Sequence, residues 1–93
     1  MEYRRIPRLG KEVSVISLGC EGFIELDHKE FNAMFDYAME KGINFIDMYT
    51  PNPVFRAHMT NVLKGRRDRI VLQGHIGSIW RTAIICAPVI WKR

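Results

Sequence analysis

Three short groups of residues that could carry chemistry follow apolar, extended stretches of the chain: Gly19-Cys20, Asp47-Met48-Tyr49 and Gly74-His75. Carboxylates, phenols and imidazoles are the side chains that proteins use most for proton transfer. In folds built from parallel strands, the carboxyl ends of the strands meet at one edge and carry the functional site. We therefore take Asp47, Tyr49 and His75 as candidate catalytic residues.

Each of these groups also has a purely structural interpretation. Asp47 could accept backbone N–H bonds in the turn that follows its strand. Cys20 could be a buried small hydrophobe, and His75 a loop residue that bonds the backbone. His28 and His58 fall on predicted helices, where surface positions are expected.

Several motifs of known chemistry are missing from the sequence. The turn after the first strand is Gly19-Cys20-Glu21-Gly22, which does not fit the Gly-x-Gly-x-x-Gly of a dinucleotide-binding Rossmann unit. There is no phosphate-binding Gly-x-x-x-x-Gly-Lys-Ser/Thr, no zinc spacing of Cys and His, and no Gly-x-Ser-x-Gly elbow. No metal site is predicted.

Composition indicates one small globular domain. The chain has 93 residues, of which 47% are hydrophobic and 26% charged, so a packed core is expected. Two cysteines far apart, Cys20 and Cys86, are too few for a disulfide framework and favour reduced thiols in the cytoplasm. We find no export signal, and the apolar residues 83–91, which include Pro88, are too few to span a bilayer.

The basic charge does not indicate a nucleic-acid partner. The net charge is +4 and the isoelectric point about 9.4. Nucleic-acid binding would need the basic residues to gather on one face beside aromatic partners. They are instead spread over the start of the chain, the segment Gly65-Arg66-Arg67-Asp68-Arg69 and the end, which is typical of solvated turns.

The first half of the chain predicts a hairpin and one helix. Residues 3–6 and 12–18 are extended segments separated by a Pro-Arg-Leu-Gly turn. Asp27 and Glu30 have the spacing of a capping box, which predicts a helix over residues 28–41 with Gly42 as a left-handed C-cap. Its apolar residues recur at spacings of three and four; they are Phe31, Met34, Phe35, Ala38 and Met39.

The second half predicts strand, helix and strand. Residues 43–46 and 70–73 are short apolar runs typical of buried strands, the first ending at Asp47. Asn52 as N-cap, Pro53 at the first helical position and Gly65 as terminator predict a helix between them. Its apolar stripe is Phe55, Met59, Val62 and Leu63. The alternation favours an α/β fold with parallel strands, either an open doubly wound sheet or a (β/α)-barrel. No element is predicted after Gly77.

Four segments together resemble the aldo-keto reductases: Glu2-Tyr3-Arg4-Arg5, Val13-Ser14-Val15 leading to Leu18-Gly19-Cys20, Gly42-Ile43-Asn44-Phe45-Ile46-Asp47, and Leu63-Lys64-Gly65-Arg66-Arg67-Asp68. The resemblance covers residues 2–77. It implies a (β/α)8 TIM barrel opened by an N-terminal hairpin, with hydride transfer from NADPH or NADH to a carbonyl. The stretch from Asp47 to Pro53, with Gln73-Gly74-His75, resembles a bacterial subgroup, some members of which carry iron–sulfur cysteines in a C-terminal extension.

The resemblance transfers one of the family's four catalytic roles by residue type. The family uses an aspartate, a tyrosine as general acid, a lysine that lowers the tyrosine's pKa, and a histidine. Asp47 matches the aspartate, but Asn52 stands at the tyrosine's position and His75 at the lysine's; the histidine would lie beyond residue 93. Tyr49 and His75 are then the candidate replacements. The resemblance also implies cofactor contacts at Gly19, Cys20 and Asp47.

A complete barrel takes about 250 residues, so this chain supplies a hairpin, three strands and two helices of a barrel that is not completed. We expect residues 1–77 to form this N-terminal part and residues 78–93 an apolar tail of uncertain origin. Two functions remain open. The chain is a truncated NAD(P)H-dependent carbonyl reductase, inactive and without bound cofactor by itself, or a non-catalytic small protein that associates with itself or a partner through the exposed half-barrel surface.

Overall fold

A computed structural model of the protein describes residues 1–76 and the backbone of residues 79–81 and 84–86. The N-terminal hairpin consists of β1 (Tyr3–Ile6) and β2 (Lys11–Ser14), which pair antiparallel from Tyr3 opposite Ser14 to Ile6 opposite Lys11. Gly10 closes the turn with a φ of 62°, a left-handed conformation that glycine adopts without steric cost. The predicted hairpin is confirmed.

The predicted extended segment over residues 12–18 is wrong in one respect, because it contains two strands of different sheets. β2 ends at Ser14, and β3 (Leu18–Gly19) joins a second sheet. The Ser14 hydroxyl donates to the Ile16 carbonyl at 2.6 Å, which closes a bend between them. A serine side chain that bonds the backbone two residues on competes with a continuous strand.

The second sheet is parallel and contains β3, β4 (Phe45–Met48) and β5 (Val71–Gly74) in that order. Leu18 lies opposite Ile46, and Ile46 lies opposite Leu72. Both later strands start and end further along the chain than predicted, so Asp47 lies inside β4 rather than beyond its end. β4 starts later than predicted because the Ile43 N–H donates to the carbonyl of Ala38, near the end of the preceding helix.

Helix α1 (His28–Glu40) connects β3 to β4, and it begins with the predicted capping box between Asp27 and Glu30. The Glu30 backbone N–H donates to Asp27 Oδ1 at 2.8 Å. Phe31, Phe35 and Ala38 are buried as predicted, whereas Met34 is 51% exposed. Met34 and Met39 flank opposite sides of the apolar stripe, and it is the Met39 side that packs against the core.

Helix α2 (Pro53–Leu63) connects β4 to β5 and confirms the prediction in detail. The Asn52 side chain accepts N–H bonds from Val54 and Phe55, and Pro53 occupies the first turn. Gly65 follows with a φ of 78°. All four residues of the predicted apolar stripe are buried: Phe55, Met59, Val62 and Leu63.

The core lies between the two helices and one face of the parallel sheet. The Phe31 ring packs edge-on against Phe23 and Phe55, with ring centroids 5.3 and 5.6 Å apart. Ile46 of the central strand is fully buried in the same cluster. Side chains alternate along a strand, so Phe45, Asp47 and their neighbours on β5, Val71 and Gln73, lie on the other face. This arrangement, with both helices on one face, is that of a partial (β/α)-barrel.

A polar cluster attaches the hairpin to the start of β4. Asn44 Oδ1 accepts from the Ser14 N–H at 2.8 Å, and Asn44 Nδ2 donates to the Glu12 carbonyl at 2.9 Å. The Asn44 N–H donates in turn to the Ser14 hydroxyl at 3.2 Å. The hairpin therefore lies at the N-terminal end of the parallel strands, opposite the edge where the candidate site residues fall.

Two further strands lie in the stretch where no element was predicted. β6 (Ile79–Arg81) and β7 (Ile84–Cys86) pair antiparallel with each other. Antiparallel neighbours joined by two residues form from local pairing, so they need no strong sequence period. The remainder of the predicted tail, including Pro88 and Trp91, lies outside the described residues. No helix among the described residues is long and apolar enough to cross a membrane.

Candidate functional site

Asp47 and His75 form a hydrogen-bonded pair at the carboxyl-terminal edge of the parallel sheet. His75 Nε2 lies 2.7 Å from Asp47 Oδ1, a distance typical of a charge-assisted bond. Asp47 lies opposite Gln73 in the sheet, and His75 follows Gln73 by two residues, so both side chains lie on the face turned away from the helices. The pair is partly accessible, with 34% of the Asp47 side chain and 43% of the His75 side chain exposed.

Tyr49 and His75 both line a cleft of about 230 Å³. Burial raises the pKa of Tyr49 above its ordinary value, and the nearby Glu21 carboxylate and Cys20 raise it further. A raised pKa keeps the phenol protonated, so it can donate a hydrogen bond but is slow to become a phenolate. The cleft is lined by Met48, Tyr49, Thr50, Pro51, Arg56, Leu72, Gly74 and His75.

Asn52 does not enter this cleft, although it stands where the aldo-keto reductase pattern has its tyrosine. Its Oδ1 accepts from the N–H groups of Val54 and Phe55 and so caps α2. Its own N–H donates to the Thr50 hydroxyl at 3.2 Å. The side chain at this position therefore caps the helix, and Tyr49 is the tyrosine that lines the cleft together with His75.

Two residues of the cleft were missed by the sequence interpretation. Thr50 is buried at 2% exposure and forms the cleft wall between Tyr49 and Pro51. Arg56, in the first turns of α2, adds a guanidinium to the lining and makes no ion pair among the described residues. Its position four residues after the N-cap Asn52 is the signal that could have placed it at this edge.

Gly19 and Cys20, the other residues implied as cofactor contacts, differ in their accessibility. Gly19 is exposed and lies opposite Asp47 in the sheet. Cys20 is only 1% exposed, and its N–H donates to the Asp47 carbonyl at 3.3 Å. Burial, with a smaller contribution from the Asp47 charge, raises the pKa of the Cys20 thiol to about 12. The Cys20 side chain is therefore buried, as its structural interpretation predicts.

The described residues that line the cleft do not form a cradle for the phosphates of a nicotinamide cofactor. A phosphate cradle needs glycines that let the backbone approach closely, commonly with positive φ. In the part of the chain that the structure describes, the positive-φ glycines are Gly10, Gly42 and Gly65, and none of them lines this cleft. Among the same residues, no group of three or more His, Cys, Asp or Glu side chains could hold a metal ion. A dinucleotide would need additional residues.

The fold and this site together define the class: the N-terminal part of a (β/α)-barrel with its polar residues at the carboxyl ends of the strands. No family model matches the sequence. Protein tas of Escherichia coli (strain K12) is 42% identical over 55 residues, which is 58% of this chain and 16% of that protein. Protein tas of Shigella flexneri matches with the same identity and coverage.

Solved structures give the same answer for the fold. Two solved structures of a candidate aldo-keto reductase from Pseudomonas aeruginosa superpose on this chain with a TM-score of 0.73 at 22% identity. The superpositions cover 92% of this chain, and they cover 35% of one matched chain and 34% of the other. The chain thus spans well under half the length of the relatives it matches. These structures confirm the fold that the resemblance implied, a partial (β/α)-barrel.

Proposed function

We propose that this chain is the N-terminal portion of an aldo-keto reductase-like oxidoreductase, whose family activity is NAD(P)H-dependent reduction of a carbonyl. The observation that carries the proposal is the 2.7 Å contact between Asp47 and His75 at the carboxyl-terminal edge of the parallel strands. Barrel enzymes of this class place their reacting groups at that edge. The thiol of Cys20 and the fold are in keeping with a reducing cytoplasmic location.

The pair supplies a proton carrier at the position where the family has a lysine. With the Asp47 carboxylate accepting from Nε2–H, the imidazole of His75 is held in one orientation and its Nδ1 is left for a ligand in the cleft. Tyr49 lines the same cleft and, held protonated by its raised pKa, can donate to a carbonyl oxygen. A bound nicotinamide would supply the hydride, but the described residues do not complete its site. The substrate carbonyl and the choice between NADPH and NADH are therefore properties of the full-length reductase that we propose.

We further propose that residues 1–93 are inactive when made alone. Effective catalysis requires donor and acceptor to be held in a near-attack geometry, and three strands with two helices cover one side of the site. The expected result is no NADPH oxidation above buffer with an aldehyde substrate, measured at 340 nm. Turnover that disappears in both Asp47→Ala and His75→Gln would show that the pair acts unaided and would contradict the inactivity; Met34→Ala, remote from the cleft, is the control.

A second candidate function is self-association through the open face of the sheet. It is favoured by a specific observation: Phe45 and Val71 lie side by side on the face turned away from the helices and are only partly buried. An exposed apolar sheet face is a common interaction surface. The intact mass of the protein made in its own cells separates the two proposals, since a mass near 10.9 kDa favours the small associating protein and a mass several times larger favours the reductase.

A further inference from the structure

Two histidines from different helices lie close together outside the lining of the cleft that contains Tyr49 and His75. His28 begins α1 and His58 lies in the middle of α2. Their ring centroids are 5.7 Å apart and the rings are tilted by 52°. The His58 ring also packs edge-on against the fully buried Phe31 at 5.3 Å, which fixes where it lies.

The side chain of Asn32, one turn after His28, completes this cluster. Asn32 Nδ2 lies 3.3 Å from His28 Nε2, so this nitrogen of the imidazole serves as an acceptor in the contact. Asn32 Oδ1, the other atom of the amide, is inaccessible to solvent and has no hydrogen-bond partner among the described residues. Rotation of the amide by about 180° exchanges the two atoms and brings Oδ1 to the position of Nδ2, 3.3 Å from His28 Nε2, about the separation of two donor atoms on one tetrahedral metal ion.

We propose that His28, His58 and Asn32 form a binding site for a divalent first-row transition metal, with Zn²⁺ as the reference ion. Two imidazoles bound to one tetrahedral Zn²⁺, with Zn–N bonds of about 2.1 Å, have their ring centroids about 5 Å apart, close to the 5.7 Å that separates the rings of His28 and His58. After the rotation of the amide, its oxygen supplies a third, weaker ligand. Imidazole nitrogen with amide oxygen is a donor set suited to Zn²⁺, Ni²⁺ and Cu²⁺ rather than to Ca²⁺ or Mg²⁺.

The metal would connect α1 to α2. Because the ligands come from two helices, binding requires the folded arrangement and so stabilises it. The site is separate from the Asp47–His75 pair, which comes from β4 and the segment after β5. It therefore does not depend on the proposed reductase function.

The test is a titration of the metal-free 93-residue chain with Zn²⁺ by isothermal calorimetry, together with thermal unfolding followed by circular dichroism. We expect one equivalent to bind and the unfolding midpoint to rise. His28→Gln, His58→Gln and Asn32→Ala should each weaken binding by roughly 10-fold or more. His75→Gln is the matched control, since it removes the third histidine of the chain and should leave binding unchanged.

A spectroscopic readout keeps the proposal testable if a variant folds poorly. With Cu²⁺ and the unmodified chain, electron paramagnetic resonance should show hyperfine coupling to two imidazole nitrogens. Coupling to fewer than two nitrogens would overturn the site, as would Zn²⁺ binding that persists in His28→Gln or His58→Gln. Loss of binding in His75→Gln alone would place the metal at the Asp47–His75 pair instead and would equally overturn it. Unchanged binding in Asn32→Ala would overturn the three-ligand site.

Discussion

The Cys20 thiol lies in the core beside the Asp47 strand, and its pKa is raised from 9.0 to about 12, first by burial and then by the Asp47 charge. The thiolate is the reactive form of cysteine, so a folded chain should protect Cys20 from alkylation near neutral pH. In a Cys86→Ser background, we expect iodoacetamide to label Cys20 at least tenfold more slowly in buffer than in denaturing urea, as measured by mass spectrometry. Equal rates would place the thiol at the surface.

The same shift makes stability fall in alkaline solution. The unfolded chain loses the Cys20 proton near pH 9.0, whereas the folded chain holds it to about pH 12, so the folded state binds more protons in this window. Stability is therefore full below about pH 9 and is lost as the pH rises toward about 12. Urea denaturation across this window should show a steeper decline for the native chain than for Cys20→Ala. Equal declines in the stability of the two chains would contradict the attribution of the alkaline loss of stability to Cys20.

At the scale of single residues, chemical type predicted the candidate site residues. It did not predict the residues whose role is to form hydrogen bonds between distant parts of the chain. Asp47, Tyr49 and His75 could be singled out because carboxylate, phenol and imidazole have few equivalents. Ser14 and Asn44, which join the hairpin to the sheet, could not, since their hydrogen bonds span thirty residues of chain. The burial of Thr50 likewise depends on how β4 meets α2, which no local pattern encodes.

At the scale of elements, α1 offers a matched pair of neighbouring residues. Phe35 is completely buried, whereas Met34 is 51% exposed. Phe35→Ala removes a ring from the core and should lower the free energy of unfolding by about 3–5 kcal/mol. Met34→Ala should change it by less than about 0.5 kcal/mol, since surface substitutions seldom do more. Urea titration followed by far-UV circular dichroism measures both. Similar losses in the two variants would show that Met34 also faces the core.

Substitutions at two helix-terminating glycines allow the cost of backbone strain to be distinguished from the cost of a steric clash. Gly65 and Gly42 both have positive φ, 78° and 89°, but a Cβ at Gly65 would meet nothing within 4 Å. Gly65→Ala should therefore lower the free energy of unfolding by roughly 1–2 kcal/mol through conformation alone. At Gly42 a Cβ would lie 2.8 Å from the Tyr3 hydroxyl, which donates to the Gly42 carbonyl at 2.7 Å.

Gly42→Ala should consequently be more destabilising than Gly65→Ala, by about 1 kcal/mol or more, because the hydroxyl must move and its hydrogen bond is disturbed. The double variant with Tyr3→Phe provides the check, since removing the hydroxyl should recover most of the excess. An excess that persists in the Tyr3→Phe background would mean that contact with Met1, rather than Tyr3, sets the difference. Chemical denaturation of five chains gives the comparison: the native chain, Gly65→Ala, Gly42→Ala, Tyr3→Phe and the double variant.

The helices were predictable from the sequence because their capping residues lie next to them in the chain. The first and last residues of the strands were harder to predict. The capping box at Asp27 and the Asn52-Pro53 start of α2 are decided by neighbours within four residues. β4 and β5 are shifted because strand limits depend on which partner residues lie opposite. β6 and β7 were missed because their pairing is a property of two segments together and neither carries a period of its own.

At the scale of the whole molecule, the parallel sheet presents an uncovered face and two free edges. Within the described residues, β3 and β5 each pair with β4 only, and Phe45 and Val71 are partly exposed on the face opposite the helices. Unpaired strand edges beside apolar surface favour pairing with another chain. β6 pairs with β7, so among the described strands this hairpin does not cover either edge.

We therefore predict that the 93-residue chain self-associates through this face, with a symmetric dimer as the commonest outcome of such an interface. Sedimentation equilibrium at high micromolar concentration should give a mass well above 10.9 kDa. Val71→Glu introduces a charge on the uncovered face and should return the mass to that of the monomer. Val54→Glu is the matched control, because Val54 is 62% exposed on α2, on the helical side, and its replacement should leave association intact. A native chain that remains a compact monomer, or a Val71→Glu variant that associates as the native chain does, would show that this face is covered within the molecule and that the open half-barrel does not persist in solution.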